Sequence, residues 1–350
     1  MDRQEVLAHR LERQGLGPLI GDEAGYQRLV WWLQPVAPVH FSRPGSPPRL
    51  VQRTPFDEGA LADDWRLRRL LVKGRFWGGN IGYVLAEDLA LYGAAFRRPL
   101  PRLSPAHEKI LQTLKYEGPL SPRQLAAESG VRHKELMPAL HRLQLAFAVY
   151  EDQEDDNWER PFALFGAEWP EVALEARSGE DAAAEVIRRL LHSQVFLTQA
   201  QVRDWSQWPA RRVAQILAQL ASAGEVLPCR IEGLGEGWIA AADQALEACR
   251  PAKGVFMLHK ADPLVKSHQS QLKGQFPGEV LQYLLIDGDF RGAVCGHWRI
   301  GPHDVDDIAV DLPPRQISAR REEVLAAVAA QYHPPRSQIR RYAGRVLPGS

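Results

Sequence analysis

The clearest chemistry in this chain is carried by basic side chains at helical spacing. Arg132-His133-Lys134 stand together, Arg142 lies further along the same segment, Arg123 sits in the segment before it, and Arg211-Arg212 open a second such segment. Arg and Lys neutralise phosphates, and Arg reads guanine edges in the major groove, so the expected partner is double-stranded DNA. Other chemistry is poorly supplied. His259, His268, Cys295, His297 and His303 form a loose group in which Cys295 and His297 would share a strand face, but no second close pair completes a zinc set. Gly233-Leu234-Gly235-Glu236-Gly237 falls where glycines make turns, and neither a phosphate loop nor a dinucleotide-binding pattern occurs. No metal, nucleotide or other cofactor is expected.

Three short helices position the first basic group. Ser104-Pro105 opens the first, with Ile110, Leu111 and Leu114 apolar at helical spacing and Gly118 at its end. Ser121-Pro122-Arg123-Gln124 combines an N-cap Ser, Pro at the first helical position and Gln closing a capping box, and Gly130 stops this second helix. The third runs from about Arg132 to Phe147 with Leu136, Leu140 and Leu143 on one face; Pro138 near its start can bend it. Val149-Tyr150 and Trp158 to Phe165 then read as a two-stranded ribbon with a polar tip.

The pattern recurs 77 residues later. Ile110 maps to Ile187, Leu114 to Leu191, Ser121 to Thr198, Gln124 to Gln201, Leu136 to Val213, Leu140 to Leu217 and Leu143 to Leu220. Core and cap positions repeating at one offset indicate two copies of one unit. Three helices followed by a ribbon, Val226 to Ile231 and Gly237 to Ala240 in the second copy, describe a winged helix-turn-helix, whose later helix usually enters the major groove.

From about residue 251 the period changes to that of strands: Val255 to Leu258, Val280 to Ile286, Gly292 to Ile300 and Ile308 to Leu312, with Asp287-Gly288-Asp289 as a hairpin turn. A helix from Ser318 to Tyr332 follows, and then a tail with Arg336, Arg340, Arg341 and Arg345, suited either to phosphate or to a disordered end. The expected fold class is therefore α+β, mainly α: tandem winged helix-turn-helix units followed by a small β-rich domain. The expected division is 1–102, 103–170, 178–245 and 251–350.

Composition agrees with a globular chain: 350 residues, 45% hydrophobic and 25% charged. The zero net charge conceals an uneven distribution, +6 over residues 1–150, −8 over 151–200 and +2 over 201–350. The acidic stretch Glu151-Asp152-Gln153-Glu154-Asp155-Asp156 would repel phosphate and reads as a solvated loop. Three scattered cysteines, no export signal and no long apolar run point to a cytoplasmic protein that does not enter a membrane.

The N-terminal hundred residues add a resemblance. Leu33-Gln34-Pro35-Val36-Ala37-Pro38-Val39-His40-Phe41-Ser42-Arg43, Trp77, Gly79-Asn80-Ile81-Gly82-Tyr83-Val84 and Ala86-Glu87-Asp88-Leu89 resemble the AlkZ/YcaQ family of winged-helix DNA glycosylases. So do Lys260-Ala261-Asp262-Pro263-Leu264, Leu285-Ile286-Asp287-Gly288 and Gly296-His297-Trp298-Arg299. The resemblance spans nearly the whole chain. It implies removal of alkylated or crosslinked bases, three winged-helix units around a DNA-binding concavity, and a catalytic Gln-any-Gln or Gln-any-Asp signature whose second polar residue handles the attacking water.

Gln34 matches the first position of that signature, but Val36 occupies the second and can neither accept a proton nor orient water. Where family members carry His or His-Glu, the segment Phe76-Trp77-Gly78-Gly79-Asn80-Ile81-Gly82 supplies glycines or Asn80. The remaining polar candidates are Gln34 and Asn80 for chemistry, with His40 nearby and Arg43 for DNA contact. Trp31, Trp32 and Trp77 could stack on a base or fill the core, and Glu87-Asp88 would favour a helix N-terminus. The expectation is a DNA-repair protein with altered, weak or absent excision, a hydrolase of N-glycosidic bonds if active. A non-catalytic regulator or damage sensor is the alternative.

Overall fold

The structure, a computed structural model, describes residues 1–38, 50, 52–152, 160–247, 249–299 and 303–348. His40 and Arg43 lie outside the described residues, as do positions 153–156 of the acidic stretch. The chain forms an α+β fold that is mainly helical, with its largest sheet in the C-terminal part. It divides into two compact units, 1–32 with 50–56 and 190–350, and 33–49 with 57–189.

In the second unit the helix Glu58–Leu67 precedes a hairpin, Leu71–Phe76 with Asn80–Leu85, in register from Leu71 opposite Leu85 to Phe76 opposite Asn80. The helix Leu89–Phe96 follows, and then the trio Pro105–Glu117, Pro122–Ser129 and His133–Leu145. Ser121 and Gln124 close the capping box reciprocally, and Gly130 takes the left-handed conformation (φ 63°) that ends the helix at little cost. Ile110, Leu114, Leu125, Leu136, Leu140 and Leu143 pack with Val149 and Phe162 of a short ribbon, Val149–Glu151 with Phe162–Leu164.

In the first unit Gln199–Ser206, Ala210–Ser222 and the strand beginning at Val226 start 77 residues after Pro122–Ser129, His133–Leu145 and Val149. Here the ribbon Val226–Ile231 with Gly235–Ala240 gains a third strand, Phe196–Leu197.

Also in the first unit is a six-stranded sheet in the order Arg345–Val346, Arg341–Tyr342, Asp307–Val310, Asp289–Cys295, Val280–Ile286 and Val255–His259. Residues alternate between its faces. Leu258, Tyr283, Leu285 and Ala293 pack with Leu7, Leu11 and Leu272, whereas Met257, Leu284, Ile286 and Val294 pack with Val324, Val328 and Tyr332. A strand covered on both faces reads as a near-continuous apolar run, as Val280–Ile286 does.

The structure departs from the sequence reading in four places. The strand expected to reach Ile300 ends at Cys295, and the C-terminal helical region is two helices, Pro314–Ala319 and Arg321–Tyr332. Part of the basic tail is a sheet element: Arg341–Tyr342 pairs in parallel with Asp307–Val310, and Tyr342 is buried beside Ile308. Glu151, at the head of the acidic stretch, is a buried strand residue and not part of a solvated loop.

Candidate functional site

Gln34 follows the helix Glu23–Leu33, and the chain then runs beside the hairpin, where Val36 and Tyr83 exchange both backbone hydrogen bonds at 2.8 Å. This register turns Gln34 inward, and it is 1% exposed. Its amide is used on both sides: Nε2 donates to Asp88 Oδ2 at 2.5 Å, and Oε1 accepts from the Leu85 backbone N–H at 2.8 Å. Arg189 Nη1 donates to the same Asp88 oxygen at 2.6 Å, while its Nε donates to Glu185 Oε1 at 3.1 Å. Tyr92 joins through a hydrogen bond with Arg189, and burial pushes its hydroxyl pKa upward. Asp88 thus pairs with Gln34 and Arg189 and makes no side-chain cap to the helix it precedes. Its Oδ1 has no hydrogen bond among the described residues.

Val36 is as buried as Gln34, and Trp77 is fully buried. Asn80 is exposed at the far end of the hairpin strand and donates to the Trp77 carbonyl at 2.7 Å. Gln34 contacts the Leu85 end of that strand, so the two catalytic candidates stand about 16 Å apart at ~3.3 Å per residue. The hairpin tip instead meets the helix His133–Leu145. Arg75 Nε donates to Gln144 Oε1 at 2.8 Å and its Nη1 to the Gly79 carbonyl at 3.0 Å, and a Cβ on Gly79 would come within 3.3 Å of His141. Burial, then the Arg75 and Arg98 charges, hold the His141 pKa below its usual value.

A second buried polar group joins the same hairpin to the ribbon. Glu151 accepts from Lys73 Nζ at 2.8 Å, Arg160 Nη1 at 2.6 Å and Gln144 Nε2 at 2.7 Å, with Arg75 at 3.8 Å. Burial opposes the carboxylate, but the charge and hydrogen bond of Lys73, then the bonds from Arg160 and Gln144, outweigh it and hold the pKa down at about 2.

Among the candidate DNA contacts, Arg123, Arg132, His133, Lys134 and Arg142 are all exposed on the trio of the second unit, with Arg132 ion-paired to Glu135. In the first unit Arg211 is exposed, and the Arg212 guanidinium lies 4.5 Å from the centroid of the Trp208 ring, a cation–π stack. Trp31 and Trp32 meet edge to face, and Trp32 stacks on His192 with centroids 3.6 Å apart. For a metal, the group that the described residues offer is His9, Glu12 and Cys249, whose ligand atoms lie within 4.8 Å of one another. Burial, then the Glu12 charge, raise the Cys249 thiol pKa and so disfavour the thiolate a metal needs. His297 bonds Glu279 at 2.9 Å, outside any such group. No helix among the described residues is long and apolar enough to cross a membrane.

The family of AlkZ-like DNA glycosylases matches residues 41–334. The chain belongs to the AlkZ-like DNA glycosylase family. Its fold is similar to that of the Streptomyces sahachiroi DNA glycosylase AlkZ, with a TM-score of 0.71 over 97% of this chain and 99% of that one at 15% identity. No curated protein matches. Within this AlkZ-like chain, Asp88 and Arg189 are the residues that sequence reasoning missed. Asp88 lies in Ala86-Glu87-Asp88-Leu89, where its type suggests a carboxylate at a helix N-terminus, and Arg189 is 101 residues away, where no local pattern joins them.

Proposed function

We propose that this AlkZ-like protein binds double-stranded DNA in repair of alkylated or crosslinked bases, with base excision strongly weakened. The reading places winged-helix units at 103–170 and 178–245, flanked by domains at 1–102 and 251–350. Arg123, Arg132, His133, Lys134, Arg142, Arg211 and Arg212, with Arg43, are the proposed DNA contacts. One observation carries the weakened excision: Gln34 and Val36, the two positions of the catalytic signature, are each 1% exposed, and the Gln34 amide is spent on Asp88 and Leu85. A side chain so placed neither touches a sugar nor holds water, and an isopropyl group at the second position cannot replace the missing acceptor.

Glycosidic cleavage builds positive charge on the sugar, which a nearby carboxylate stabilises. Asp88 is also buried, but it is 7% exposed against 1% for Gln34 and keeps Oδ1 open, and it is the group through which residual excision would run. Asn80, at the other end of the strand, would take a DNA-facing role at the hairpin tip. The same burial also favours a second reading, a damage sensor without chemistry. Abasic-site formation on alkylated and crosslinked duplexes tests these readings. Duplex binding with little or no excision is expected. Slow excision lost in Asp88→Asn separates the weakened enzyme from the sensor, and robust excision abolished by Gln34→Ala in a folded protein overturns both.

A further inference from the structure

The first unit contains a polar cavity of about 430 Å³ that the glycosylase reading does not use. It lies between the N-terminal helix Arg3–Arg13, the strand Phe196–Leu197, the helix Gln269–Gln275 and the turn at Gly288–Arg291. Its size is that of a small-molecule site, roughly 300–1,000 Å³. Three of the polar groups on its wall have bonding capacity left over.

Arg10 is 4% exposed. Its Nε and Nη2 donate to the carbonyls of Gln194 and Phe196, both at 2.9 Å, and Nη1 carries no hydrogen bond among the described residues. His268, also buried, has Nδ1 2.9 Å from the Leu264 carbonyl and 3.0 Å from Ser267 Oγ. Because the carbonyl can only accept, Nδ1 is assigned as the donor and Nε2 as the lone-pair nitrogen, and Nε2 has no partner among the described residues. Burial, then the Arg10 charge, hold the His268 pKa at about 3 against the Leu264 bond, so that nitrogen accepts at neutral pH. Asp289 receives both Arg3 and Arg291 on Oδ2 and leaves Oδ1 without a hydrogen bond among the described residues.

One buried donor and two acceptors therefore face a cavity whose apolar wall includes Phe196, Leu234 and Phe290. A phosphodiester offers only acceptors; it would suit Arg10, Arg3 and Arg291 on the wall but meet the His268 lone pair and the open Asp289 oxygen. A flat heterocycle with a carbonyl beside N–H groups satisfies all three, and aromatic walls suit its faces. We propose that this cavity binds a guanine-type base, its carbonyl taken by Arg10 and its N–H groups by Asp289 and His268. The base could arrive as a free nucleoside or within a DNA strand.

Calorimetry on the full chain would use guanosine, inosine, adenosine, inorganic phosphate, and single strands with and without guanine. Guanosine is expected to bind, and inosine, which lacks the 2-amino donor, about tenfold more weakly. Arg10→Met should lower guanosine affinity at least tenfold. Because Arg10 also ties two strand carbonyls, Gln271→Trp is the second variant: it changes an exposed rim residue and should block the cavity without unfolding the protein. Binding of guanine-containing strands but not of the nucleoside assigns the base to DNA. Phosphate binding without guanosine, equal affinity for adenosine and guanosine, or guanosine affinity unchanged in folded Gln271→Trp would each overturn the proposal.

Discussion

Gln34→Ala separates a structural glutamine from a catalytic one. The substitution removes two hydrogen bonds, to Asp88 Oδ2 and from the Leu85 N–H, in a place that water does not reach. A buried group left unpaired costs about 1–3 kcal/mol, and here the Leu85 N–H is left so, while Asp88 keeps Arg189 and loses a neutral donor worth about 1 kcal/mol. The expected destabilisation is about 3 kcal/mol, read as a lower urea midpoint with an unchanged slope. Gln34→Glu sharpens the test. It sets a second carboxylate against Asp88 at a contact now 2.5 Å long, so stability should fall at neutral pH and partly recover in acid as one proton is taken up and shared. A loss below about 0.5 kcal/mol for Gln34→Ala, or no acid recovery for Gln34→Glu, would refute the view that this side chain is committed to the fold.

Three further outcomes are expected. Val36→Gln, which restores the family signature, should cost about 1–3 kcal/mol for a buried amide and should not raise excision in the abasic-site assay. The Glu151 pKa, about 2 when folded and below its ordinary 4.5, gives stabilisation that is fully present above about pH 4.5 and lost as pH falls towards 2. Glu151→Gln should flatten that acid limb and cost about 3 kcal/mol at neutral pH by stranding Lys73, as acid titrations followed by circular dichroism would show. Arg132→Ala combined with Lys134→Ala should weaken duplex binding and reduce the slope of log affinity against log salt by about 2, measured by fluorescence anisotropy.

What the sequence revealed depended on whether the cause was local. Capping boxes at Ser121 and Thr198 and the heptad-like run Leu136, Leu140, Leu143 are local signals, and the helices begin where those residues require. The turn at Asp287-Gly288 was equally plain, with positive φ at both residues. The interior of the candidate site was not visible. Nothing near Asp88 announces Arg189, and nothing near Glu151 announces Lys73, 78 residues earlier, so an acidic run looked like a solvated loop. Val36 was visible as a departure, but its backbone pairing to Tyr83 depends on the hairpin's register. The tail arginines looked free because a two-residue strand such as Arg341–Tyr342 is too short to show a period.

Arg53 belongs to a seven-residue strip, 50–56, counted with the first unit although its neighbours on both sides belong to the second. It is fully buried, donating from Nε to the Gln14 carbonyl at 2.6 Å and pairing through Nη1 with Asp262 Oδ2 at 2.9 Å. During synthesis the pairing of this guanidinium with Asp262 must wait for 209 further residues to be made. Closing so long a loop is slow. Both ends of this clasp lie in the first unit, so excising residues 50–56 would break it and should lower the yield of folded protein.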